Sequence, residues 1–156
     1  MQKRHSLPEA KQKIYRYCAY QERCHQEVKD KLYELGLSTN DVNEMLSHLI
    51  TEGFLNEERF ARSFAGGKFR LKHWGRIKIV NELQSRGLTA NCIKAGLKEI
   101  EEPVYEAVLR SLLEKKSASL SAETNEFIKR DKISKFAIQK GYEPELVWRL
   151  IKESRL

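Results

Sequence analysis

Long apolar runs are missing from this chain of 156 residues, whose longest apolar stretches hold only a few residues, such as 107–109. A transmembrane helix needs about 20 apolar residues, and the centre of a signal peptide needs about 7 to 15. We therefore expect a cytoplasmic protein with no membrane partner. Because 40% of the residues are apolar and 33% are charged, a core can still form, and we do not expect a disordered chain.

Cysteine is scarce, and its spacing is not that of a bonded framework. The three cysteines, Cys18, Cys24 and Cys92, are an odd number and include no C-x-x-C pair, which favours reduced thiols over disulfides. A metal site built from Cys18 and Cys24 with His25 and His48 fits no common zinc spacing. We therefore interpret these residues as parts of half-buried helices and predict no metal.

Sequence motifs of enzyme active sites are also missing. Gly66-Gly67-Lys68 lacks the upstream glycine of a phosphate-binding loop, and no strand precedes it. The chain has no Gly-x-Ser-x-Gly and no His-Glu-x-x-His sequence. Acidic pairs such as Glu57-Glu58 lie at predicted helix starts, where the helix dipole accounts for them. The prediction is a protein without catalytic residues or cofactor.

Alternating runs of β-branched residues, which would indicate a sheet, are absent, whereas signals of helices recur. Apolar residues repeat at steps of three and four, as in Val42, Met45, Leu46 and Leu49, which predicts one buried stripe per helix. Predicted helix starts carry capping serines, early prolines and acids in the first turn. The predicted fold class is all-α.

A threefold internal repeat is centred on Gly36, Gly87 and Gly141, and apolar residues recur at the same offsets on both sides of each glycine. Glycine can adopt the left-handed conformation without steric cost, so each of these residues is expected to end a helix. A second helix follows each glycine, and a further helix precedes each pair, at about 8–20, 57–71 and 103–116. The sequence therefore predicts three tandem three-helix units.

Units of this size bury their own core poorly, so they are expected to stack into an elongated, curved rod. The predicted domains are 1–55 (the first repeat with an N-terminal extension), 56–101 (a second, basic repeat) and 102–156 (the third repeat). A kink or break is predicted at Gly66-Gly67, because two interior glycines cost about 2 kcal/mol relative to alanines. A serine-rich link is predicted over 115–121.

Acidic residues are almost absent from one central segment. The net charge of +7 is the balance of 29 basic and 22 acidic side chains. Residues 59–94 carry nine basic residues and one acid, Glu82, so this segment alone has a balance of +8. A solvated helix face normally mixes both signs, and the segment therefore indicates a polyanion or an acidic protein surface as partner. A basic face that only confers solubility is the alternative.

Two motifs border or lie within this segment. In the first, 53–61, a glycine ends one helix and Asn56 caps the next. In the second, 72–88, Trp74-Gly75-Arg76 precedes a predicted helix. Trp74 either stacks on a base, fills a pocket of a partner, or anchors the turn between two helices. Trp148 has the spacing of a core residue.

Taken in this order, the motifs resemble the RecX proteins, which are bacterial regulators of the recombinase RecA. The resemblance rests on 53–61, on Trp74-Gly75-Arg76 with the Lys78-Ile79 that follows, on Glu82-Leu83 with 86–88, and on the pattern over 27–36. It covers roughly residues 15–100, and the three-unit organisation extends it to the third repeat. Cys24 departs from it, since the family usually has a capping serine there, and so does Gly66-Gly67, where helix formers are usual.

The resemblance implies a monomeric regulator without enzymatic activity that lies in the groove of the RecA–DNA filament. There it is expected to inhibit or modulate RecA ATP hydrolysis, strand exchange and co-protease activity in recombination, DNA repair and the SOS response. Basic side chains would attract the filament and non-specifically bind single- and double-stranded DNA in a salt-dependent way. The candidate contact residues are Arg59, Arg62, Lys68, Arg70, Lys72, Trp74, Arg76, Lys78 and Arg86. The alternative is a stand-alone basic helical protein that binds DNA without RecA.

Overall fold

A computed structural model describes residues 5–156. Within these residues the chain forms nine α-helices and no strand, which confirms the all-α prediction. Residues 1–4, predicted to belong to an N-terminal extension of the first repeat, lie outside the described part. The helices are α1 (Leu7–Tyr20), α2 (His25–Glu34), α3 (Thr39–Thr51), α4 (Glu57–Lys72), α5 (Arg76–Ser85), α6 (Ala90–Leu97), α7 (Glu102–Ser119), α8 (Glu126–Gln139) and α9 (Pro144–Glu153).

The helices pack mainly in consecutive groups of three, here named unit 1 (α1–α3), unit 2 (α4–α6) and unit 3 (α7–α9). Gly36, Gly87 and Gly141 each follow the second helix of a unit, with φ of 89°, 80° and 101°. These left-handed conformations confirm that a glycine ends the helix in each repeat. The domain boundaries after residues 55 and 101 stay a prediction.

Buried apolar residues form two separate cores. Unit 1 builds one of them, around residues such as Leu32 and Leu49. Units 2 and 3 share the other, in which Tyr105 of unit 3 contacts Phe69 of unit 2. The chain exposes 9820 Å² of surface, whereas a compact monomer of this mass exposes about 8,100 Å². The additional surface fits units that are arranged end to end.

Helix α4 passes through Gly66-Gly67 without interruption, so the predicted break is wrong. Gly66 is buried, and the guanidinium of Arg70 lies over it. Elsewhere on α4, helix α6 comes so close that a Cβ on Gly96 would lie 2.7 Å from the carbonyl oxygen of Ala61. This tertiary packing offsets the cost of about 2 kcal/mol that two interior glycines impose.

Two further predictions are corrected in unit 3. The serine-rich segment is mostly helical, because α7 continues to Ser119 and buries Ser117, so the connection to α8 spans only 120–125. Trp148 is 46% exposed rather than part of the core. It lies on the outer side of α9, whereas its neighbour Val147 is buried.

Candidate functional site

The turn between α4 and α5 is the place where unit 2 meets unit 3. Gly75 donates its N–H to the carbonyl of Lys140 at 2.7 Å, and Ile77 donates to the carbonyl of Gly141 at 2.9 Å. No side chain caps α5, so the backbone of unit 3 satisfies these opening amides. A Cβ on Gly75 would overlap the backbone of Gly141, and a Cβ on Gly141 would overlap Lys78. Glycine is therefore required at both positions.

Arg76 is held within the same contact. Its guanidinium pairs with Glu102 and Glu143, each at 2.5 Å, and lies 3.9 Å from the centre of the Tyr105 ring. The Tyr105 hydroxyl accepts the N–H of Arg76 at 2.9 Å and donates to Glu143. Burial alone disfavours the charged form, but the hydrogen bonds to both carboxylates outweigh it and raise the pKa of Arg76. Its charge is thus balanced inside the chain, and a role in partner binding stays a prediction.

Three other candidate arginines are also paired with carboxylates of this chain. Arg59 pairs with Glu22 at 2.6 Å, Arg62 with Glu58 at 2.8 Å and with Glu99 at 3.3 Å, and Arg86 with Glu82 at 2.8 Å. A carboxylate at this distance offsets most of the field of the guanidinium at longer range. These arginines therefore add little to the attraction of a distant polyanion.

The candidate lysines differ, because Lys68, Lys72 and Lys78 have no acidic partner within residues 5–156. The ammonium groups of Lys68 and Lys78 lie 5.0 and 4.5 Å from the centre of the Trp74 ring. Trp74 is half-buried and packs edge-on against Phe64, with 6.2 Å between the ring centres. A cation–π contact holds a lysine in place without cancelling its charge. We call Lys68, Lys72, Lys78 and Trp74 the unit 2 lysine cluster.

Arg70 lies apart from this cluster. It is exposed and has no acidic partner in the described part of the chain, but it follows Lys68 by two residues on α4. Side chains two positions apart on a helix project about 200° from each other. Arg70 instead covers Gly66 on another side of α4.

A second group of this kind lies in unit 3 and was not predicted from the sequence. The ammonium groups of Lys116 and Lys140 lie 5.1 and 5.8 Å from the centre of the Phe136 ring, and neither has an acidic partner within the described residues. We call these two residues the unit 3 lysine pair. The spacing of Phe136 and Lys140, four residues apart, is a local signal that could have been found. The approach of Lys116 from α7 depends on tertiary packing.

The described residues hold no candidate metal site, no disulfide and no membrane-spanning helix. Residues 5–156 contain no group of three or more His, Cys, Asp or Glu side chains that could hold a metal ion. All three cysteines are free, and Cys24 is buried. None of the helices that the structure describes is long and apolar enough to cross a membrane.

Comparison with known protein families gives two matches along the chain. The model of the first three-helix domain of RecX matches residues 10–49, and that of the second matches residues 56–97. Regulatory protein RecX of Pelodictyon phaeoclathratiforme is 32% identical over 117 residues, which are 75% of this chain and 71% of the relative. Regulatory protein RecX of Chlorobium limicola is 28% identical over 130 residues, or 82% of this chain and 76% of the relative.

Solved structures agree with this fold. The crystal structure of RecX from Lactobacillus salivarius has a TM-score of 0.84 at 22% identity, covering 94% of this chain and 95% of that one. A crystal structure of regulatory protein RecX also has a TM-score of 0.84, at 19% identity, covering 94% of this chain and 71% of that one. Because the matches cover 94% of this chain, the likeness in fold includes unit 3.

Proposed function

This chain belongs to the RecX family of regulatory proteins, and we propose that it binds the RecA–DNA filament and inhibits the DNA-dependent ATP hydrolysis of RecA. The same binding would reduce strand exchange and co-protease activity in recombination, DNA repair and the SOS response. The observation that carries the proposal is the unit 2 lysine cluster, in which the ammonium groups of Lys68 and Lys78 are held on the Trp74 ring but are not neutralised.

The shape of the molecule supports binding along a filament. A filament groove presents DNA phosphates and acidic side chains over an extended path, and units arranged end to end can follow such a path. Unpaired lysines in the middle unit would then face the polyanion, and their attraction would weaken as salt is added.

The first test is the ATPase activity of RecA on single-stranded DNA, with this protein titrated at well below one copy per RecA. Binding to bare DNA is measured in the same buffer. We expect hydrolysis to fall at concentrations where bare DNA is still unoccupied. Inhibition that begins only once the DNA is coated would favour the stand-alone DNA-binding alternative, and absence of inhibition would refute the proposal.

A second test addresses the cluster. The variant Lys68→Glu/Lys72→Glu/Lys78→Glu lowers the net charge from +7 to +1. The control Lys13→Glu/Lys98→Glu/Lys115→Glu makes the same change at exposed lysines that have no acidic partner within residues 5–156. We expect the cluster variant to need about tenfold more protein, or more, for half-inhibition, while the control stays near wild type. An equal loss in both would show that only overall charge matters.

A further inference from the structure

The unit 3 lysine pair and the unit 2 lysine cluster lie on chain segments that touch at the contact between the units. The carbonyl of Lys140 accepts the N–H of Gly75 at 2.7 Å, and Gly75 directly follows Trp74 in the chain. Lys78 lies against Gly141, which directly follows Lys140. The chain segments that carry Lys78 and Lys140 therefore touch where units 2 and 3 meet.

Unit 1 carries a similar arrangement that is neutralised. Arg23 and Lys31 lie 3.7 and 5.7 Å from the centre of the Tyr17 ring. Arg23 pairs with Glu27 at 3.8 Å, and Lys31 pairs with Glu34 at 3.6 Å. The ring-bound lysines of units 2 and 3 have no such partner in the chain from residue 5 onward. Lys11 of unit 1 lies 5.8 Å from the centre of the Tyr15 ring and also has no acidic partner among the described residues, but it is a single cation. Units 2 and 3 each carry two unpaired lysines on one ring.

The kind of cation left unpaired indicates the kind of ligand. Seven of the eight arginines in units 2 and 3, which span residues 57–153, are paired with carboxylates of this chain: Arg59, Arg62, Arg76, Arg86, Arg110, Arg130 and Arg149. The planar guanidinium is suited to bidentate contact with a carboxylate or a phosphate, whereas the lysine ammonium is a point charge without fixed geometry. Point charges suit phosphates that repeat along a strand and are bound without regard to sequence.

We propose that the unit 2 lysine cluster and the unit 3 lysine pair form one continuous surface for the phosphodiester backbone of DNA. Lys116 and Lys140 supply its second contact point, and unit 3 is thereby a DNA-binding part of the molecule. This inference rests on the proposed function, because it names DNA as the component of the filament that this surface touches.

The test is binding to a fluorescently labelled oligothymidine, followed by anisotropy at several salt concentrations without RecA. The variants are Lys68→Gln/Lys78→Gln and Lys116→Gln/Lys140→Gln. A matched control, Lys115→Gln/Lys152→Gln, removes the same charge from exposed lysines of unit 3 that lie on no aromatic ring within the described chain. Circular dichroism and thermal unfolding verify that each variant folds.

Each ring-lysine variant should bind roughly tenfold more weakly near 0.1 M salt, and the control should bind like wild type. The slope of log K against log salt should fall by about 1.4 for each variant, since each phosphate contact with a single strand contributes about 0.7. On a DNA duplex the slope of log K against log salt should fall by about 1.8 for each variant. A Lys116→Gln/Lys140→Gln variant that matches the control in affinity and slope overturns the inference.

The RecA assay separates this inference from the proposed function. If the unit 3 variant loses DNA affinity but the wild type does not inhibit RecA, the DNA surface stands and the proposed function falls. If Lys68→Gln/Lys78→Gln loses inhibition yet binds DNA like wild type, the lysines contact RecA itself. The proposed function then stands, and the DNA surface is refuted.

Discussion

The two junctions between units are built from different interactions. Units 2 and 3 share one apolar core, and their backbones touch at Gly75 and Gly141. Units 1 and 2 meet through polar contacts such as the ion pair of Arg59 with Glu22 at 2.6 Å. Among the described residues, Cys24 is the one member of unit 1 that enters the core of units 2 and 3. Regular spacing of the repeat glycines therefore does not imply that the junctions between units are equivalent.

The physical consequence concerns which junction opens first. Separating units 2 and 3 would expose apolar surface at about 25 cal/mol per Å² and would leave buried polar groups without partners. Surface ion pairs contribute only about 0 to 1 kcal/mol each. We therefore expect unit 1 to separate from unit 2 more readily than unit 3 does.

Among the substitutions at the two junctions, Gly141→Ala should cause the largest loss of stability. Gly141 has φ of 101°, and an added Cβ would overlap Lys78, so strain and overlap act together. We expect a loss of about 2 to 4 kcal/mol in the free energy of unfolding, measured in urea. The control Gly67→Ala meets no atom within 4 Å and should instead stabilise α4 by up to about 1 kcal/mol. Wild-type stability in Gly141→Ala would show that the backbone contact is dispensable.

The second prediction compares one arginine from each junction. Arg76→Ala leaves the carboxylates of Glu102 and Glu143 without their partner and removes the cation–π contact with the Tyr105 ring, so we expect a cost of about 2 kcal/mol. Arg59→Ala removes an exposed pair and should cost less than about 1 kcal/mol. Chemical unfolding of both variants under the same conditions measures the difference. Equal costs would contradict the proposed difference between the junctions.

Alkaline pH should weaken the junction of units 2 and 3. Burial, and then the hydrogen bond to Glu143, raise the pKa of Tyr105, while burial and the charge of Glu143 raise the pKa of Tyr142. Because an unfolded tyrosine has a pKa of about 10, the unfolded chain releases these protons at lower pH than the folded chain does. The contribution of the two tyrosines to the free energy of unfolding is therefore fully present below about pH 10. Above that pH it falls by up to about 1.4 kcal/mol per pH unit for each tyrosine.

Urea unfolding from about pH 8 to about pH 11 measures this loss. The variant Tyr105→Phe/Tyr142→Phe serves as the control. It should be less stable near neutral pH, since it lacks the bonds to Glu143 and to the carbonyl of His73, but its stability should vary less above about pH 10. The same alkaline loss in wild type and variant would assign the effect to other groups.

The smallest effect concerns the reactivity of a thiol at the junction of units 1 and 2. Burial raises the pKa of Cys24 to about 11, and its S–H donates to Glu27 at 3.2 Å. Relative to a thiol with a pKa of 9.0, its thiolate fraction near neutral pH is about 100-fold lower. We expect Cys24 to be alkylated more slowly than Cys92, as peptide mapping after alkylation would measure.

The same reaction reports on opening of this junction. Arg59→Ala should accelerate alkylation of Cys24, because it loosens the contact between units 1 and 2, whereas Arg76→Ala should leave the rate unchanged. Equal acceleration in both variants would mean that Cys24 becomes accessible through global unfolding.

The sequence predicted the positions of the helices well, but it predicted a break and a link where the structure has continuous helix. The helix predicted at about 8–20 is observed at Leu7–Tyr20, and the one predicted at about 57–71 is observed at Glu57–Lys72. The failures at Gly66-Gly67 and over 115–121 have a common cause. Local propensity argues against a regular helix in both segments, and burial against neighbouring helices outweighs it.

Prediction of the candidate site was limited in a similar way. The motif over 72–88 identified Trp74, and counting charges identified the basic segment 59–94 with Lys68, Lys72 and Lys78. It could not separate Lys68 from Arg59, because the partner of Arg59 lies 37 residues away. It also missed Lys116, whose contact with Phe136 joins two helices of unit 3.

Local sequence was sufficient for the all-α class, the threefold repeat and the glycine-terminated helices. Apolar periodicity and the conformational freedom of glycine act within a few residues, so these features can be read along the chain. Arg62 and Arg86 pair with acids four residues away, but for other candidates the charges that remain available to a partner depended on contacts between distant segments. Arg76 is bound to Glu143, 67 residues away, whereas Lys68 and Lys78 lie on an aromatic ring that leaves their charge intact. Electrostatic pairing depends on distance in space, and folding alone sets that distance.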